Sequence, residues 1–158
     1  MSAVDDLLDV FGSAWSGHER SAFASCCAPD VHYEDPLTHG ARHGLDALAD
    51  HAALLWHAFP DARVERAGER LTDGRFVAAP VRVAGTHRGD LARLPATKRA
   101  IALHAVLYCE LDPEGTRLWR VRAFFDAYEA AAQLGVLPRP GTVGERALML
   151  LRGFGLRS

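Results

Sequence analysis

The chain has 158 residues, of which 49% are hydrophobic and 24% are charged, and its formal net charge at pH 7 is −2. This length and composition predict one globular domain with a sizeable core, and the charge gives no electrostatic reason to expect nucleic acid or an anionic membrane as a partner. The N-terminus lacks a signal-peptide pattern, and no apolar run approaches membrane-spanning length. The three cysteines suggest no disulfide framework. We therefore expect a cytoplasmic protein.

The first part of the chain is typical of helices. Apolar residues recur at helical spacing from residue 3 to about 16, and a second helix is expected to carry Cys26 and Cys27 before Pro29 stops it. A short strand is predicted at residues 31–35. A helix is predicted at about residues 45–58, with Trp56 on its apolar face.

The second part is typical of an antiparallel sheet. Residues 62–71 and 76–87 flank a hairpin turn, and long strands are predicted at 99–111 and 118–126. Helices followed by hairpins predict an α+β fold, with helices packed on one face of a curved antiparallel sheet. We expect this domain to cover residues 1–138, and residues 139–158 to form a helical tail that docks on the domain or on a second subunit.

The two long strands have different faces. Their odd-numbered positions are apolar, whereas the even-numbered face mixes His104, Tyr108, Arg122, Phe124 and Asp126. In one arrangement the odd face packs on the helices and the even residues are solvated. In the other, the even face lines a partly polar pocket and the odd face pairs with a second subunit. Alternation does not decide between them, and the residues alone favour the first.

Three stretches carry a His or Asp near a predicted strand end, namely residues 31–36, 85–89 and 124–126. Carboxylates and imidazoles are the usual groups in general acid–base catalysis, and Asp126 and Asp35 are the candidates here. Structural roles are equally open. Asp126 is a preferred N-cap residue, Asp35 precedes a proline as turn residues do, and His87 can cap a strand end.

The sequence predicts neither a metal site nor a cofactor. His39 and His43 have a four-residue spacing, but adjacent glycines argue against a helical metal pair and no third ligand is evident. The vicinal cysteines are more typical of packing, because metal-binding pairs usually leave two residues between them. No phosphate-binding loop, dinucleotide fingerprint or nucleophile elbow occurs in the sequence.

Short motifs follow one another in a characteristic order. They are Tyr33-x-Asp35-Pro36, Phe59-Pro60-Asp61, Gly85-Thr86-His87-x-Gly89, Pro95-Ala96-Thr97, a strand that ends in Asp126, and Gln133-Leu134-Gly135. Over roughly residues 5–138, this set resembles the SnoaL-like polyketide cyclase family of the nuclear transport factor 2-like superfamily. The resemblance implies a cone of curved sheet and helices around one central pocket. It is less specific for the reaction, because this scaffold hosts many chemistries.

The resemblance also implies roles for residues. Asp126 matches the general acid/base of the cyclases, which would turn the even face inward, and His87 matches a motif position beside the pocket. Asp35 lies in a Glu-Asp-Pro stretch like the one that holds the base of ketosteroid isomerases. Two departures stand out. Lys98 replaces a usual glycine, and Phe11 and Trp15 stand near the place of the isomerases' oxyanion-donating tyrosine.

We therefore expect a homodimeric, cofactor-independent cyclase that closes a ring by aldol-type chemistry on a small hydrophobic, polyketide-like carbonyl substrate. The candidate catalytic residues are Asp126, His104 and Asp35, and the candidate substrate-binding residues are Tyr33, Trp56, His87, Tyr108, Arg122 and Phe124.

Two other functions remain open at this point. An enzyme resembling limonene epoxide hydrolases would use Asp126, Arg122 and Asp35 as one hydrogen-bonded group that activates water. A non-catalytic dimeric binding module would instead pair Arg122 with Asp126. Its pocket would be filled, or lined without access to Asp126.

Overall fold

A computed structural model describes residues 2–151 of the chain. Its helices are α1 (Ala3–Gly17), a 3₁₀ helix (Arg20–Ser25), α2 (Leu45–Ala58), α3 (Ala127–Gln133) and α4 (Val143–Leu151). Its strands are β1 (Cys27–Glu34), β2 (Arg42–His43), β3 (Arg63–Arg66), β4 (Leu71–Thr72), β5 (Phe76–Thr86), β6 (Ala100–Leu111) and β7 (Leu118–Phe124). No helix within residues 2–151 combines the length and apolar character needed to cross a membrane.

The strands form one curved sheet in the order β2-β1-β7-β6-β5-β3, with β4 paired to β5. The longest pairing joins β5 and β6, from Phe76 opposite Glu110 to Thr86 opposite Ala100. The predicted α+β fold is confirmed. One pair differs from the expected antiparallel pattern, since β1 runs parallel to β7. A parallel pair needs a long connection rather than a tight turn, so no local motif marks it in the sequence.

The predicted second helix is wrong in part. The 3₁₀ helix ends at Ser25, and Cys27 begins β1 four residues before the expected strand. Proline is tolerated in a strand where the ladder is irregular, because it has no N–H to donate. Pro29 meets this condition, since the register of β1 against β7 shifts between Cys27 and His32. All three cysteines are free and buried.

Helices α1 and α2 cover the odd-numbered face of the sheet. Ala105, Leu107 and Val121 are buried there in one core with Phe11 and Trp56. Burial of this apolar face follows from its composition, because it removes the most apolar surface from water. The first of the two arrangements considered for the strands is therefore correct.

The even-numbered face points away from the helices, so the expectation that it turns inward is wrong. His104, Tyr108, Arg122 and Phe124 are exposed on it, and Arg122 forms an ion pair with Glu34. The related expectation that the odd face pairs with a second subunit is also wrong, because the chain's own helices cover that face. Whether the protein is a homodimer stays a prediction.

The C-terminal tail begins as predicted with a helix, α4. None of its residues is buried, and Val143 and Leu151 are 80% and 86% exposed. The surface on which this tail docks stays a prediction, and its last predicted helical residues, 152–154, lie outside the described part of the chain.

The loop after β5 is held tightly against the end of α2. The backbone N–H groups of Arg88 and Gly89 both donate to the carbonyl oxygen of Ala58, at 2.9 and 3.1 Å. A Cβ atom at Gly89 would lie 2.2 Å from the backbone oxygen of His57. Lys98, at the other end of this loop, has φ of +60°. This left-handed region favours glycine, which explains why the resembling family usually has glycine at that position.

We expect Gly89→Ala to lower the free energy of unfolding by about 1–3 kcal/mol, because the added methyl group forces the loop away from α2. Urea denaturation followed by tryptophan fluorescence measures this. Gly17→Ala is the matched control, since a Cβ there meets no atom within 4 Å. Equal stability of the two variants would contradict this account of the loop.

Candidate active site

The inner face of the sheet and the surrounding helices enclose an apolar cavity of about 230 Å³. Its lining is dominated by aliphatic and aromatic side chains, and its charged residues are Asp35 and Arg63. Arg63 is half exposed and pairs with Glu65, with Nε 3.0 Å from Oε1. Asp35 differs because its side chain is only 3% exposed. The cavity therefore brings one buried carboxylate next to a largely apolar space.

The position of Asp35 follows from strand alternation in β1. Side chains on a strand point alternately to its two faces, so Asp35 shares the inner face with Val31 and Tyr33, both of which are buried. A turn then fixes the backbone of Asp35. The hydroxyl of Thr38 donates to the carbonyl oxygen of Asp35 at 3.0 Å, and the Asp35 N–H donates to the same hydroxyl at 3.2 Å.

Three donors hold the Asp35 carboxylate. Tyr33 Oη donates to Oδ2 at 2.8 Å, and the backbone N–H of Leu37 donates to Oδ1 at 2.7 Å. Nε2 of His51, on α2, lies 2.7 Å from Oδ2, and it must be the donor because a carboxylate only accepts. We call Asp35, His51 and Tyr33 the Asp35 cluster. His51 and Tyr33 are themselves buried and are not among the residues that line the cavity. They therefore hold the carboxylate on the side away from the cavity.

The charge of the Asp35 carboxylate depends on opposing effects. Burial raises the pKa of Asp35. The hydrogen bond and charge of His51, and then the hydrogen bonds from Leu37 and Tyr33, lower this pKa by more than burial raises it, so the net pKa is below the ordinary value. Burial, together with the Asp35 charge, raises the pKa of Tyr33. Asp35 is therefore ionised at neutral pH and Tyr33 keeps its proton. The hydrogen bonds from its donors fix the orientation of this carboxylate.

Sequence reasoning did not identify His51. A signal was present, because His51 follows Leu48 by three residues and precedes Leu55 by four, on the apolar face of α2. A histidine on such a face needs a buried partner. Asp35, which directly follows β1 and precedes His51 by sixteen residues, is that partner.

The other predicted site residues are divided between the cavity and the rest of the molecule. Trp56 lines the cavity, and its Nε1 donates to the carbonyl oxygen of Trp15 at 2.9 Å. His87 is fully buried but is not among the lining residues. The backbone N–H of Thr97 donates to His87 Nδ1 at 3.1 Å, and the His87 ring lies against Phe59. His87 thus fixes the loop before β6.

Asp126 caps α3. Its Oδ1 accepts hydrogen bonds from the backbone N–H groups of Tyr128 and Glu129, at 2.9 and 3.1 Å. The residue is exposed and is not among those that line the cavity.

The hydrogen-bonded group required for the epoxide-hydrolase alternative does not form among the described residues. Asp35 bonds to His51 and Tyr33 on the inner face, whereas Arg122 pairs with Glu34 on the outer face. A group of three or more His, Cys, Asp or Glu side chains that could hold a metal ion is also absent from the part of the chain that the structure describes.

Comparison with known families agrees with this fold. The model of the SnoaL-like polyketide cyclase family matches residues 5–134. The chain belongs to the SnoaL-like polyketide cyclase family. No curated protein matches it significantly.

Several solved structures share the fold of this SnoaL-like chain. TsrD from Streptomyces laurentii has a TM-score of 0.75 at 16% identity, over 85% of this chain and 96% of TsrD. A candidate polyketide cyclase from Acidithiobacillus ferrooxidans has a TM-score of 0.72 at 24% identity, over 85% and 95% of the two chains. AclR from Streptomyces galilaeus, described as a candidate hydroxylase, has a TM-score of 0.72 at 19% identity, over 95% and 92%. These likenesses establish the fold alone.

The lowered pKa of Asp35 makes part of the stability pH-dependent. A carboxyl whose pKa is lower in the folded than in the unfolded chain stabilises the fold above the unfolded pKa, and this stabilisation is lost as pH falls through the folded pKa. We expect wild type to lose stability more steeply than Asp35→Asn below about pH 5. Urea denaturation of both proteins at several pH values measures the difference, since all other carboxyl groups are common to both. Parallel curves would contradict the assignment.

Proposed function

We propose that this chain is a cofactor-independent cyclase that acts on a small hydrophobic, polyketide-like carbonyl substrate, with Asp35 as its general base. The observation that carries the proposal is a buried, ionised carboxylate facing an apolar cavity. Such a group is a typical candidate for proton transfer, because the cavity keeps bulk water from competing for it. Membership of the SnoaL-like polyketide cyclase family supports the same reaction class.

The proposed reaction is an intramolecular aldol addition. Asp35 takes a proton from a carbon next to a carbonyl group, and the C–H electron pair forms the enolate. The enolate carbon attacks a second carbonyl group of the same molecule, which forms the new C–C bond and leaves an alkoxide. Asp35 then returns its proton to the alkoxide. Protons and electrons balance within substrate and enzyme.

His51 and Tyr33 are positioning residues in this proposal. They hold Oδ2 of Asp35, so that Oδ1, which accepts from the N–H of Leu37, keeps a lone pair for the substrate proton. General acid–base catalysis of this kind raises the reaction rate about 10²–10⁴-fold. A substrate whose enolate is conjugated needs less stabilisation from the protein, and holding the two ends of one chain together supplies the rest.

The first test compares two carboxylates. The probe is 2-tetralone, an apolar bicyclic ketone, and the measurement is hydrogen–deuterium exchange at its C1 position by NMR in D₂O. We expect Asp35→Asn to lower the enzyme-dependent exchange rate by about 10²–10⁴-fold and Asp126→Asn to leave it unchanged. Asn is as good an N-cap as Asp, so Asp126→Asn keeps α3 intact.

Loss of exchange in Asp126→Asn, with normal exchange in Asp35→Asn, would overturn the proposal and favour the acid that the family resemblance identifies. A second candidate function, non-catalytic binding of a small apolar ligand, is favoured by the absence of Asp126 from the cavity lining. Binding of 2-tetralone without enzyme-dependent exchange would support that candidate and contradict the cyclase.

A second test examines His51. Because its hydrogen bond and charge lower the pKa of Asp35, we expect His51→Gln to move the acidic limb of the exchange rate against pH to higher pH. A residue needed only for packing would lower the rate equally at every pH. Tyr33→Phe is the matched comparison and should move the limb in the same direction by less. An unshifted limb in both variants would contradict the positioning roles.

A further inference from the structure

One wall of the cavity is formed by small side chains on α3. Ala127, Ala130 and Ala131 of α3 line the cavity, as does Leu134 directly after the helix. They lie at positions i, i+3, i+4 and i+7, which is the spacing of a single helix face. Every residue of α3 that faces the cavity before Leu134 is therefore an alanine.

Bulky side chains form another part of the lining. Leu55 and Trp56 of α2 line the same space, as does Phe59 directly after this helix. After glycine, alanine has the smallest side chain, so α3 fills little of the cavity that it lines. Cavities of this size respond to single side chains, because protein interiors are close-packed. A larger side chain on this face of α3 would occupy the space directly.

The cavity extends along α3, because residues from Ala127 to Leu134 line it. β1 pairs with β7 in a register that sets Glu34 opposite Arg122, so Asp35 lies beside the part of β7 that leads into α3. The other end of α3 lies far from this point, where Leu134 packs with Phe59, Leu91 and Ile101. Ala127 and Leu134 are separated by about 10 Å along the helix axis. Residues later in α3 thus lie farther from Asp35.

We propose that α3 sets the length of the substrate, and that Ala130 and Ala131 are its specificity-determining residues. The substrate class is a neutral, elongated, multi-ring or folded carbonyl compound that lies along α3. Neutrality follows from the lining, which has one buried charge, the Asp35 carboxylate, and this charge repels an anion. The orientation of the carbonyl end toward Asp35 rests on the proposed function, whereas the size selection does not.

Binding of matched ketones tests the inference. Trp15 and Trp56 line the cavity, so their fluorescence reports occupancy. The probes are acetophenone, 2-acetylnaphthalene and 2-acetylphenanthrene, which share one acetyl group and differ in the number of rings. We expect Ala131→Leu to raise the Kd of the three-ring ketone at least about tenfold and to leave that of acetophenone within about twofold. Ala131→Val should give an intermediate loss, which keeps the test valid if the leucine variant folds poorly.

The control is Ala147→Leu, the same substitution at an exposed position of α4, which should change none of the three Kd values. An equal loss for all three ketones, or no loss for any, would overturn the inference. The result is independent of the exchange experiment, because it requires binding and no proton transfer. Ring-size selection without exchange would contradict the cyclase and support α3 as the specificity wall.

Discussion

The buried Asp35 carboxylate is the constraint on which the site depends. An ionised group with 3% exposure needs donors. They come from three places: Tyr33 on β1, the N–H of Leu37 in the turn after β1, and His51 on α2. The last bond joins the sheet to the helix that covers it. Loss of any donor leaves charge unsatisfied in a largely apolar space, so the carboxylate fixes the distance between these two layers as well as its own orientation.

The architecture was largely predictable because its signals are local. The bounds of α2 follow from the spacing of its apolar residues, and the long β5–β6 and β6–β7 hairpins follow from alternation and turn residues. The parallel β1–β7 pair was not predictable, since its partners are brought together only after helices and hairpins have packed. The segment with Cys26 and Cys27 was predicted as a helix because proline is rare within strands. Pro29 is tolerated in β1 because the register of β1 against β7 is irregular there.

The candidate site was harder to predict, because face and partner are properties of the packed molecule. Alternation alone correctly favoured burial of the odd face. The family resemblance then reversed that choice, because Asp126 in this chain matches a catalytic position. Asp35 was identified from its motif, whereas His51 was missed because its role depends on a carboxylate in another element. The order of the motifs therefore predicted the fold and identified Asp35 as a candidate acid. Only the packed structure shows that Asp35, and not Asp126, lines the cavity.

Asp126 illustrates why an acid at a motif position is weak evidence for proton transfer. Its carboxylate accepts the first free N–H groups of α3, and a short helix needs such a cap at its N-terminus. That cap fixes where α3 begins, and therefore which of its residues face the cavity. Shifting the start of the helix by one residue would rotate its face by about 100° and replace the alanines with Tyr128 or Glu129. A capping residue at this position is thus required by the shape of the cavity, whether or not it touches a substrate.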